Sequence, residues 1–141
     1  MTKKALEMML LCVGAGAKDW DGAKRRRPLR TKGKRQAQKV GAWMGLHGLR
    51  PDKTLTTTDE RASATAQKAL KAGGWSAQGV VQSPDLTKGV MPTVVDDDRV
   101  LLVAPKKTVA DLLNSLGVHE SLSSGVLVRL EKTPTGTEIR Q

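Results

Sequence analysis

Few side chains in this 141-residue sequence could carry chemistry on their own: two histidines, His47 and His119, and one cysteine, Cys12. No Ser-His-Asp order, metal-ligand spacing or phosphate-binding glycine loop accompanies them, so no metal and no cofactor is expected. Cationic side chains are the more telling signal. Between Asp21 and Asp52 there is no acidic residue, yet there are ten basic ones, from Lys24 through Arg25, Arg26 and Arg27 to Arg50. The other fourteen Lys and Arg are matched by fourteen Asp and Glu, so the whole net charge of +10 sits in that one stretch. A concentration of this kind suits phosphate, nucleic acid or an acidic partner; a solvated basic loop that aids solubility is the competing reading.

The elements that would position these groups follow from the apolar pattern. Leu6 to Val13 is an apolar run stopped by Gly14-Ala15-Gly16, the mark of a buried strand feeding a tight loop. It is too short for a membrane span and lacks a cleavage-site pattern, so it does not read as a signal peptide. A helix is expected from about Thr31, as N-cap, to about His47, with Gly48 as the stop. Val40, Trp43, Met44 and His47 share one face of it, so Trp43 is expected toward the core and His47 as a packed structural residue. Lys53–Thr57 reads as a short strand, Thr58 or Asp59 to Ala72 as a second helix, and Gly79–Gln82 as another short strand. Residues 83–98 read as an irregular excursion and Val100–Ala104 as a strong buried strand. Pro105-Lys106-Lys107 turns into a helix from about Thr108, and Val126–Glu131 is a last strand before a turn at Pro134-Thr135-Gly136 and a short tail.

Strands alternating with helices imply a three-layer α/β/α unit with a mostly parallel sheet, one domain over 1–141. Ligands of such sheets bind beyond the carboxyl ends of the strands, here Val13-Gly14, Thr56-Thr57 and Ala104-Pro105. His119 follows Gly117-Val118 in a loop away from those ends and reads as non-functional. Cys12 lies within the first strand and reads as a buried structural thiol. A single cysteine allows no internal disulfide, consistent with a reducing, cytoplasmic setting.

The order of elements resembles the histidine phosphatase superfamily, in particular its small phosphohistidine phosphatases of the SixA type. Arg27-Pro28-Leu29-Arg30-Thr31-Lys32-Gly33-Lys34-Arg35-Gln36-Ala37 is similar to that family's R-P-L-T-x-K-G-x-x-Q-A. Leu49-Arg50-Pro51-Asp52 with Leu55-Thr56-Thr57 resembles L-x-P-D-x-x-x-S-S, and Arg61-Ala62 with Thr65-Ala66 resembles R-A-x-Q-T-A. Gly125 to Glu131 is similar to the family's glycine and R-L-E strand, while residues 83–98 stand where a longer helical insertion is usual. The resemblance implies a phosphoglycerate mutase-like fold and hydrolysis through a covalent phosphohistidine, which needs an attacking imidazole, a second histidine and arginines on the phosphoryl oxygens.

The same resemblance marks what is missing. The family's first strand ends in Arg-His-Gly where this chain has Val13-Gly14-Ala15, and its fourth ends in Gly-His-Asn-Pro where this chain has Ala104-Pro105-Lys106-Lys107. Val13, Gly14 and Pro105 are thus degenerate positions, and of the two-arginine, two-histidine core only Arg61 survives. The expectation is a catalytically inactive relative whose crevice holds a phosphate-bearing or acidic partner through Arg61, Arg26, Arg27, Lys106 and Lys107. Two alternatives stand beside it: nucleic-acid binding by the basic loop and helix, and residual hydrolysis by water with Arg61, Lys106 and Lys107 as electrostatic stabilisers. No membrane partner is expected, and nothing in the sequence sets the oligomeric state.

Overall fold

A computed structural model describes residues 6–14, 22, 28–76, 79–90, 99–117, 122–123, 125–133 and 136–140. Six strands form one sheet: β1 (Leu6–Cys12), β2 (Lys53–Thr56), β3 (Val80–Gln82), β4 (Arg99–Ala104), β5 (Leu127–Thr133) and β6 (Gly136–Arg140). Their spatial order is β3-β2-β4-β1-β5-β6. The first four in that order run parallel, whereas β5 joins β1, and β6 joins β5, antiparallel. The sheet is mostly parallel, as expected, with an antiparallel margin.

Both faces are covered. β1 shows why its sequence from Met8 onward is apolar at successive positions and not at every second one: Met8, Leu10 and Cys12 belong to one core cluster, Met9, Leu11 and Val13 to the other. β4 divides in the same way, with Leu102 and Ala104 on one face and Leu101 and Val103 on the other. A strand buried on two sides must be apolar throughout. Helices α1 (Thr31–Leu46) and α2 (Glu60–Ala72) cover the second cluster; α3 (Pro84–Thr87) and α4 (Lys106–Ser115) cover the first.

Several local expectations need correction. Arg30, not Thr31, is the N-cap of α1, because Lys34 N already donates to Arg30 O at 3.0 Å and Thr31 is therefore helical. α4 begins at Lys106 and not at Thr108: Val109 N donates to Pro105 O at 3.0 Å, and a proline, having no N–H to leave unpaired, suits a helix start. Residues 83–98 are not irregular throughout. Ser83 Oγ accepts from Leu86 N at 3.2 Å and caps the single turn of α3, while 91–98 lie outside the described residues. The tail after Gly136 is strand β6. His119 and the turn residues Pro134 and Thr135 also fall outside the described residues.

The largest departure concerns α1. Its buried face is Gly33, Ala37, Gly41 and Met44, not the Val40–Trp43–Met44–His47 face. A Cβ on Gly41 would collide with Ala69 O, and one on Gly45 would lie 2.8 Å from Gly73 O. Small residues let α1 and α2 touch backbone to backbone, so bulk is not what marks the buried side. Trp43 is pushed to the margin, 36% exposed, and His47 is exposed outright. The expectation that Trp43 faces the core and His47 is packed is therefore wrong.

Candidate functional site

The carboxyl ends of β1, β2 and β4 converge through backbone hydrogen bonds. Val13 N donates to Ala104 O at 2.9 Å, and Thr57 N donates to Val103 O at 3.1 Å. α1 and α2 close one side of this rim, and α4 starts on it at Pro105.

Gly14 is where the family resemblance puts the nucleophile. Its amide donates to Thr65 Oγ1 at 3.2 Å in a buried contact, and Thr65 itself is fully buried on α2. A Cβ added to Gly14 would lie 2.7 Å from Gly33 O and 3.0 Å from Gly33 Cα. The first turn of α1 thus occupies the space that a side chain at residue 14 would need first. Sequence reasoning did not single out Thr65 or Gly33 as site residues, although both lie within the matched stretches.

Arg61 is the second residue of α2, half-buried, with its Nε shut off from solvent. It is flanked by acids: Asp59 Oδ2 accepts from Thr57 Oγ1 at 3.4 Å, and Glu60 precedes Arg61 directly. On the opposite lip Lys106 and Lys107 stand exposed in the first turn of α4, which contains no acidic residue. The helix leaves its first amides without intrahelical partners, and that end favours anions. Lys106 is close enough to Cys12 for its charge to act on the thiol. Burial dominates, however, and pushes the Cys12 pKa up to about 11 against that pull. A thiol so placed is protonated at neutral pH and is no nucleophile, in agreement with its structural reading. Arg26 and Arg27 lie outside the described residues.

Beside this rim is a cleft of about 400 Å³ whose walls include Pro28, Leu29, Lys34, Glu60, Ser63 and Gln82. It shares α2 with Arg61 but neither Arg61, Lys106 nor Lys107 lines it, so the cleft borders the expected phosphoryl position and does not coincide with it. Among the described residues no group of three or more His, Cys, Asp and Glu could hold a metal ion. No helix among them is long and apolar enough to cross a membrane.

No protein-family model matches the chain, and no curated protein matches it. Solved structures do. The protein histidine phosphatase SixA in complex with tungstate superposes with a TM-score of 0.78 at 14% identity, covering 96% of this chain and 94% of that one. The phosphoglycerate mutase of Bacillus anthracis str. Sterne gives 0.73 at 12% identity over 98% and 92% of the two chains. The phosphoserine phosphatase of Entamoeba histolytica in complex with 3-phosphoglyceric acid gives 0.71 at 11% identity over 96% and 95%. The chain has the phosphoglycerate mutase-like fold. Within it, SixA phosphohistidine phosphatases are among the structures it superposes on over nearly their full length.

Proposed function

We propose that the protein is a histidine phosphatase relative that no longer hydrolyses and keeps a basic crevice for a phosphate-bearing or polyanionic partner. The observation that carries this reading is Gly14. At the position matched to the nucleophile there is no side chain, the amide is committed to Thr65, and the Gly33 backbone fills the adjacent space. Phosphoryl transfer through a covalent intermediate requires an atom that can attack phosphorus, and neither Gly14 nor Pro105 offers one.

Recognition needs less. A guanidinium presents a rigid fork of donors to phosphate oxygens, and Arg61 holds one at the start of α2. Lys106 and Lys107 add charge next to the open amides of α4. Asp59 and Glu60 work against a free dianion but would pair with cationic side chains flanking the phosphate on a partner. This favours a phosphorylated protein segment over inorganic phosphate.

Two measurements test the proposal together. Incubation with a phosphohistidine peptide and with a generic phosphomonoester should release no phosphate above a heat-denatured control. Titration with the same phosphopeptide, followed calorimetrically, should show binding that weakens about tenfold in Arg61→Ala, the loss of one charge-assisted hydrogen-bonding group. Turnover in the parent that vanishes in Arg61→Ala would overturn the inactive reading; binding indifferent to Arg61, Lys106 and Lys107 would overturn the crevice.

A further inference from the structure

The outer face of α1 has no part in the crevice, and its composition is unusual. Taking 3.6 residues per turn, Lys32, Arg35, Lys39, Trp43, Leu46 and His47 fall within an arc of about 120°. All six are exposed, Leu46 at 83% and Trp43 at 36%. α1 contains no acidic residue, and Arg50, exposed just past its end, extends the basic run. Cations occupy the first three turns, rings and Leu46 the last.

The ring pair is held in place. His47 stacks on Trp43 with centroids 4.3 Å apart and planes inclined by 29°. His47 Nδ1 lies 2.8 Å from Trp43 O; a carbonyl only accepts, so Nδ1 carries the proton and donates. From β5, the Arg129 guanidinium sits 5.9 Å from the Trp43 ring centroid and is itself tied to Glu7 at 3.1 Å. Trp43 thus has a guanidinium against its ring, and His47 is fixed on it by a hydrogen bond and a stack. His47 is exposed, so its imidazole is within reach of a ligand from solvent. A flat, pre-oriented, exposed ring at the end of a row of cations has the two parts of a single-strand binding surface: charge for the phosphates and a platform for a base.

We infer that the outer face of α1 binds single-stranded nucleic acid, with Lys32, Arg35 and Lys39 along the phosphate backbone and one base stacked on the Trp43–His47 pair. The occupant must be polyanionic to satisfy three cations that have no acidic neighbour on their helix. It must carry exposed π-faces to use the ring pair, and an unpaired strand has both where a duplex hides its bases. Stacking is tolerant of base identity, so little sequence preference is expected. This surface shares no residue with the crevice of Arg61, Lys106 and Lys107 and stands whether or not that crevice binds phosphate.

Fluorescence anisotropy of the full chain with a labelled oligothymidylate of about 15 nucleotides tests the inference, with the matching duplex as competitor. Binding at low salt should weaken with a log–log slope near −2, since each of three contacted phosphates contributes about −0.7. His47→Ala should weaken binding about tenfold, the effect of losing one stacked base, and His47→Phe should restore it. Lys32→Glu with Lys39→Glu should abolish binding. Circular dichroism of each variant checks that the exposed substitutions leave the fold intact. Three outcomes would each overturn the inference: no binding, a preference for duplex, or indifference to His47. Equal binding of polyglutamate, indifferent to His47, would mark the strip as a surface for acidic polypeptides instead.

Discussion

Putting a histidine back at residue 14 should not make this protein a phosphatase, and the reason is steric before it is chemical. Any side chain there begins with a Cβ 2.7 Å from Gly33 O, 3.0 Å from Gly33 Cα and 3.1 Å from Gly33 C. These are backbone atoms in the first turn of α1, so no rotamer change can relieve the contact; the helix or the end of β1 must move. Movement would stretch the buried 3.2 Å bond from Gly14 N to Thr65 Oγ1. Overpacking of a tight interior contact costs about 1–3 kcal/mol, and loosening a buried hydrogen bond adds about 1 kcal/mol. Gly14→Ala alone should therefore lower stability by about 2 kcal/mol in urea denaturation, with Tm falling by about 8 °C for a chain of this size. Gly14→His should be at least as destabilised and should show no phosphate release from a phosphohistidine peptide. A Gly14→Ala variant as stable as the parent would refute the steric argument. A Gly14→His variant that turned over phosphohistidine would refute the functional one as well.

Three further outcomes follow from the packing and the charges. Gly41→Ala should destabilise the protein by about 3 kcal/mol in urea, because the new Cβ would collide with Ala69 O, whereas the same change on an exposed helix would stabilise by about 1 kcal/mol. Cys12, its pKa raised to about 11, should resist thiol reagents at neutral pH in the native state and react only as fast as the protein opens, with rates rising in urea. Burial pushes the Glu7 carboxyl up, but hydrogen bonds and charges from Arg129 and Arg99 outweigh this and hold it below the usual carboxylate range. A carboxyl with a lowered folded pKa adds stability above its unfolded value and loses it as the pH falls through the folded one. Glu7→Gln should thus cost about 1 kcal/mol at neutral pH, with the gap to the parent closing as the pH falls through and below the usual carboxylate range in pH-resolved melts.

The elements most legible in the sequence are those whose burial is extreme. β1 from Met8 and β4 from Val100 are apolar at successive positions because both faces are covered. Gly48, at φ +65°, ends α1 where a glycine just past the helix was read as its stop. The face of α1 was misjudged for an identifiable reason. Periodicity weighs residues by hydrophobicity, and Gly33, Ala37 and Gly41 carry little of it, yet their smallness is what lets α1 seat against α2 and the end of β1. Once that contact is fixed, Trp43 has nowhere to go but the margin. β6 was missed because Gly136–Arg140 has no apolar run; its pairing comes from β5 alongside. The closure of the Gly14 position by Gly33 is a contact between segments distant in sequence and carries no local signal.

That closure also explains how the fold accommodates glycine at the position matched to the nucleophile. The rim where β1, β2 and β4 end is held by main-chain bonds, Val13 N to Ala104 O and Thr57 N to Val103 O, which require no particular side chain. Gly14 N is satisfied by Thr65 and Gly14 Cα is backed by Gly33, so replacing an imidazole with hydrogen here leaves neither an orphaned donor nor an open void on that side. Pro105 caps α4 without needing an N–H partner, so the second matched position is structurally complete too. The start of α4 and its two lysines keep this end of the rim favourable to an anion from outside.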